Sequence, residues 1–144
     1  MNMNQMARGY IASGVFNGIR APQHQQNQII KQYCDVNNLR FVMSRAEYWI
    51  NGSTKCQLWA ALKEEYSHIV FFSVWQLPKN TSERESIYNY SIAHAKRLHF
   101  ATERMEIATT KEAFNELELL IRTNLSIISQ RDRENYLNIL KRLI

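Results

Sequence analysis

The sequence predicts an α/β fold, a small three-layer sandwich built on a mostly parallel four-stranded sheet, on three observations. Short apolar runs alternate with longer segments of 3.6-residue periodicity, as parallel strands joined by helices require. Residues 68–75, HIVFFSVW, are a nearly continuous β-branched and aromatic run, suited to a central strand covered on both faces. Two capping-box patterns, Ser82 with Glu85 and Thr109 with Glu112, mark helix starts.

The elements follow in order. A first strand is expected over residues 9–13, then a helix over residues 22–37, with Pro22 in the first turn and Ile29, Ile30, Tyr33 and Cys34 on one face. A short second strand spans 40–44, and Asn51-Gly52-Ser53 reads as the loop before a helix carrying Leu58, Ala61 and Leu62. The strand at 68–75 ends at Gln76-Leu77-Pro78, and the helix opened by Ser82 runs to about Arg97. Residues 98–102 form the fourth strand, and 109–144 a C-terminal helical extension of this single 1–144 domain. Its apolar stripe, Phe114, Leu117, Leu120, Ile121, Leu125 and Ile128, resumes at Tyr136, Leu137, Leu140 and Leu143. Part of it exceeds what a small sheet can cover, which predicts a homo-oligomer through the C-terminal helices, the alternative being simple core packing.

The formal charge of +5 divides into +3 over residues 1–72 and +2 over residues 73–144. With no basic tail, it speaks against a nucleic-acid partner while admitting a small anion. The opening MNMNQMA has no secretory pattern, and no apolar run approaches a membrane span, so a cytoplasmic protein without membrane contact is expected. Cys34 and Cys56 lack paired spacing and read as buried free thiols; His24, His68, His94 and His99 lack ligand spacing, so no metal is expected. Ser13-Gly14 with Gly18 matches neither dinucleotide nor phosphate-loop spacing, and no cofactor is called for.

In a doubly wound sheet, ligands bind beyond the carboxyl ends of the strands. That rule selects Ser13, Glu47 and Glu103 as candidate catalytic groups: a hydroxyl at a helix N-terminus and two carboxylates able to act as general bases or to accept sugar hydroxyls. Arg20, Lys79 and Arg84 are candidate anion clamps, Gln26, Ser44 and Ser73 candidate hydrogen-bonding groups, and Tyr48 and Trp75 candidate stacking surfaces.

Two resemblances follow from these residues. Gly9-Tyr10-Ile11, a glutamine-rich helix start and the strand closing in Val74-Trp75-Gln76-Leu77 resemble the catalytic domain of serine recombinases, the resolvases and invertases, over residues 8–107. This implies a resolvase-like α/β fold. The chain departs from the family at the chemistry: Ala12 stands before Ser13 where an arginine is the rule, and Pro78-Lys79-Asn80 replaces the Asp-Arg-Leu that should follow Leu77. A recombinase serine needs an arginine cluster to stabilise the scissile phosphate, so an active recombinase is not expected.

The second resemblance is to the sporadic carbohydrate cluster family of bacterial surface-polysaccharide gene clusters. It is carried by Arg8-Gly9-Tyr10-Ile11-Ala12-Ser13, Arg20-Ala21-Pro22 with Gln26-Asn27, Tyr33-Cys34, Ser44 with Glu47-Tyr48, Ser73 with Leu77-Pro78, and His99-Phe100-Ala101 with Glu103. It implies a role in surface-polysaccharide assembly, lipopolysaccharide or capsule, and no more; joined to the strand-end groups above, it gives the expectation of a sugar, sugar phosphate or nucleotide sugar bound at the strand ends. The alternative is a catalytically inactive resolvase-like module that dimerises or binds DNA in a regulatory role. Whether the chain is an enzyme stays open at this point.

Overall fold

The computed structural model describes residues 5–14, 20–48 and 55–126, the last three as backbone only. Among the described residues, nine strands and α-helices follow in order: β1 (Met6–Ala12), α1 (Gln23–Val36), β2 (Arg40–Glu47), α2 (Cys56–Leu62), β3 (His68–Phe71), α3 (Thr81–Ala93), β4 (Arg97–Phe100), β5 (Met105–Ile107) and α4 (Lys111–Ser126). The sheet order is β2-β1-β3-β4-β5. The first four strands are parallel, and β5 returns antiparallel to β4 with Leu98 opposite Ile107.

The sheet thus has five strands where the sequence pattern indicated four. A three-residue strand carries no readable alternation, and β5 follows a tight turn whose Arg104 takes the left-handed conformation, φ 55°. Three other boundaries move. β2 extends to Glu47 because its ladder with β1 continues from Met6–Arg40 to Ala12–Glu47. β3 stops at Phe71, and residues 74–76 form a single 3-10 turn capped by Ser73. α3 begins at Thr81, capped by the Asn80 side chain accepting from Glu83 N–H at 3.1 Å, in place of the Ser82 cap. The predicted cap at Thr109 is likewise taken by Thr110, whose hydroxyl accepts from Ala113 N–H at 3.2 Å. The loop residues 51–54 and the stripe beyond residue 126 lie outside the described residues.

Alternation along the strands divides the core in two. Tyr10, Ile69, Phe71, Leu98 and Phe100 face α2, α3 and α4 through Leu58, Leu62, Ile87, Phe114 and Leu117. Ala7, Ile11, Val70 and Phe72 face the other way, against Ile30, Tyr33 and Cys34 of α1. Phe71 and Phe100 are fully buried with ring centroids 5.0 Å apart, so truncating either to alanine would cost about 4 kcal/mol. Cys34 is buried as expected, and burial pushes its thiol up to about 12. Cys56 is exposed at the start of α2, a correction to the buried reading.

Gly9 is fixed by close approach. A Cβ there would collide with Ser44 Oγ and the Phe41 ring on β2, where the β1–β2 register shifts between Ala7 and Gly9. Ser44 is therefore in the body of the sheet. Its hydroxyl donates to Asn27 Oδ1 of α1 at 2.5 Å.

Among the described residues, no helix is long and apolar enough to cross a membrane.

Candidate functional site

β1 leads through α1 to β2 on one side, while β2 leads through α2 to β3 on the other, and α1 and α2 lie on opposite faces. The carboxyl ends of β1 and β3 therefore flank the topological switch point, where an α/β sheet opens a crevice. Two buried glutamines fill its floor. Gln26 Oε1 accepts from Ala12 N–H at 3.1 Å and from Gln76 Nε2 at 2.8 Å, while Gln26 Nε2 donates to the carbonyls of Ala12 and Ala21, both at 2.8 Å. Gln76 Oε1 in turn accepts from Phe72 N–H at 3.1 Å. Gln26 thus ties the start of α1 to the end of β1, and its polar atoms are engaged inside the protein.

Above this floor stands Ser13, partly buried, whose N–H donates to Glu47 O at 2.9 Å. Glu47 itself is turned inward. Its carboxylate accepts from the N–H groups of Gln57 (3.1 Å) and Leu58 (3.4 Å) and from the Tyr10 hydroxyl (3.2 Å). That is the role of an N-terminal cap for α2, where unpaired amides and the helix dipole favour a carboxylate.

Lys55, at the N-cap of α2, belongs to the same corner and was missed by the sequence reading. Burial lowers its ammonium to about 8, opposed by Glu47 and Glu83 and reinforced by the like charge of Lys79. Only the fold reveals this, because Lys55, Lys79 and Glu47 come from three separate segments. Arg20 and Lys79 are exposed, and neither side chain has a hydrogen bond or ion pair among the described residues. Tyr48 lies open at the end of β2, 69% exposed.

A second cluster closes the ends of β3 and β4. Glu103 Oε1 accepts from Val74 N–H and Oε2 from the Ser73 hydroxyl, both at 2.9 Å. Burial pushes the Glu103 carboxyl up to about 7, against the lowering effect of these two bonds. Ser73 also accepts from Trp75 N–H at 3.3 Å, and Trp75 packs against both apolar clusters. Both Ser73 and Glu103 are buried, so this pair holds the 3-10 turn in place.

Arg84 is buried behind the crevice. Its guanidinium forms a bidentate ion pair with Glu118 of α4 and donates to the carbonyls of Pro78 (3.1 Å) and Lys79 (2.8 Å). Two more arginines are held at mid-sheet: Glu64 receives Arg8 through two bonds of 2.9 Å and Arg45 at 3.0 Å. Burial pushes the Glu64 carboxyl up, but the hydrogen bonds of Arg45 and Arg8 outweigh it and hold the group below the usual range.

The strand ends thus separate into two groups. Gln26, Ser44, Glu47, Ser73, Arg84 and Glu103 face inward and join elements. Ser13, Arg20, Tyr48, Lys55 and Lys79 occupy the rim. The rim can attract an anion, and burial makes the Lys55 ammonium easier to deprotonate than a solvated one. Among the described residues, no three His, Cys, Asp or Glu side chains are grouped to hold a metal ion.

No protein-family model matches the sequence, and no curated protein is similar to it. The carbohydrate-cluster resemblance therefore rests on its short motifs alone. The structure is similar to that of a resolvase-family site-specific recombinase from Streptococcus pneumoniae, with a TM-score of 0.57 and 14% identity over 89% of each chain. The chain has a resolvase-like α/β fold.

Proposed function

We propose that this chain is a resolvase-like module that engages a phosphodiester backbone at the ends of its parallel strands without cutting it, and so acts by binding. The observation that carries the reading is the disposition of its cations. Arg8 and the part-exposed Arg45 are paired with Glu64, and the buried Arg84 with Glu118. The rim around Ser13 has Arg20, Lys55 and Lys79. Such a rim supplies Coulombic attraction for phosphate. Among the described residues it lacks the guanidinium cluster that would stabilise a phosphoryl transition state on a serine. The resolvase-like fold and the recombinase-like run from Gly9 to Ser13 support the same reading. The even spread of charge along the sequence describes the chain as a whole; three cations gathered at one end are a local property.

The phosphate chemistry would also suit a sugar phosphate or nucleotide sugar, so the experiment carries both arms. Fluorescence anisotropy with a labelled duplex is measured at two salt concentrations, alongside thermal melts with nucleotide sugars. The expected result is duplex binding that weakens steeply with salt, drops with the Arg20→Ala, Lys79→Ala double variant, survives Ser13→Ala, and yields no strand cleavage. Stabilisation by nucleotide sugars alone would overturn the proposal in favour of the carbohydrate reading. Cleavage abolished by Ser13→Ala would overturn its non-catalytic part.

A further inference from the structure

Away from the Ser13 rim, α1 borders a groove of about 550 Å³ between its outer flank and the β4–β5 turn. Ile29, Tyr33 and Val36 recur along the α1 wall, and Ala101 and Arg104 line the opposite side. Val36 is 76% exposed and Ile29 38%, so the wall presents apolar surface that the described residues leave uncovered. The Tyr33 side is anchored: its hydroxyl bonds His99 Nδ1 at 2.7 Å, and His99 Nε2 in turn faces His68 Nδ1 at 2.9 Å.

Among the described residues, the charge in this groove is single and unmatched. Arg104 is the one ionisable cation lining it, and its side chain makes no hydrogen bond or ion pair among the described residues. Glu106, two residues on, is already paired with Arg97 at 2.7 Å. Arg104 also sits at φ 55°, a conformation that glycine or asparagine adopts more readily. A long cationic side chain placed where the backbone disfavours it breaks a local rule, as happens at functional positions.

We propose that this groove binds an amphiphilic monocarboxylate, its carboxylate held by Arg104 and its apolar chain lying along Ile29, Val36 and Ala101. The volume falls within the usual range for small-ligand sites, and a guanidinium matches a carboxylate with two parallel hydrogen bonds. From Ile29 to Val36 the wall runs about 10 Å at the helical rise per residue, the span of an acyl chain of about ten carbons. The site is independent of the phosphodiester reading.

Decanoate, kept below its micellar concentration, is the probe, titrated onto the full chain by calorimetry with thermal melts in parallel. The expected result is saturable binding and a raised melting temperature with decanoate, and neither with 1-decanol nor with decyltrimethylammonium. Arg104→Gly should weaken decanoate binding at least tenfold while raising the melting temperature of the free protein, because glycine relieves the left-handed strain. Val36→Glu, at an exposed position, should weaken binding without loss of fold. Equal binding of 1-decanol, or decanoate binding unchanged in Arg104→Gly, would overturn the proposal.

Discussion

The Ser73 hydroxyl donates to Glu103 Oε2 at 2.9 Å, joining the ends of β3 and β4 through a carboxyl group that burial pushes up to about 7. The folded protein therefore holds this proton more tightly than the unfolded chain does. The resulting stability is complete below the ordinary value of 4.5 and is lost as pH rises through about 7. Glu103→Gln, which cannot ionise, should remove that loss. The unfolding free energy from urea melts should fall from pH 5 to pH 7 for the native chain relative to the variant, by up to about 1.4 kcal/mol per pH unit at the steepest point.

The His99 ring should give the opposite slope. Burial lowers its pKa, with His68 and Arg97 acting in the same direction and Glu106 opposing; Tyr33 of α1 packs against the ring through its hydroxyl. A neutral ring in the folded state stabilises fully above 6.5, and that contribution is lost as pH falls below it. The His99 component should lower the stability from pH 6.5 to pH 5, against the gain that Glu103 gives over the same range. A His99→Gln chain should lack that component.

Gln26→Leu tests the crevice floor. It leaves Ala12 N–H and O, Ala21 O and the Gln76 amide short of partners in a buried setting. Each unsatisfied group costs on the order of 1 kcal/mol, so a total loss of about 3 kcal/mol is expected in chemical denaturation. A loss under 1 kcal/mol would mean that the floor rearranges freely.

The Arg84–Glu118 pair joins the start of α3 to α4. Glu118→Leu alone leaves a buried guanidinium uncompensated and should cost about 3 kcal/mol. The double variant Arg84→Met, Glu118→Leu should recover most of it. A double-mutant cycle with no coupling would contradict a shared, desolvated pair.

Much of this architecture was written in the sequence, and the reason is local. The run from Ile69 to Phe72 has no face to expose, and the Ile30, Tyr33 and Cys34 spacing can bury only one side of a helix. The antiparallel β5 was not legible, because its three residues acquire strand geometry only from pairing with β4. The site was legible by position and not by orientation. Ser73, Glu47, Glu103 and Gln26 do stand at strand ends and helix starts, but those places are also rich in unpaired backbone amides, which turned these polar groups inward. Lys55 gave no signal of its own. Its chemistry comes from burial beside Glu47, Glu83 and Lys79.

The strand that leads to Ser13 has a further consequence for how the chain is made. β1 lies between β2 and β3, and Ala7 pairs with Phe41 on one side and His68 on the other. During synthesis β1 emerges before either neighbour and then waits, a ribbon with two bare edges, until residues far behind it have been added. Pairing over such sequence distances is slow, and unpaired edges recruit foreign strands. Yield at the ribosome should therefore depend on how quickly β3 arrives, and a chain cut short before His68 should aggregate or require a chaperone.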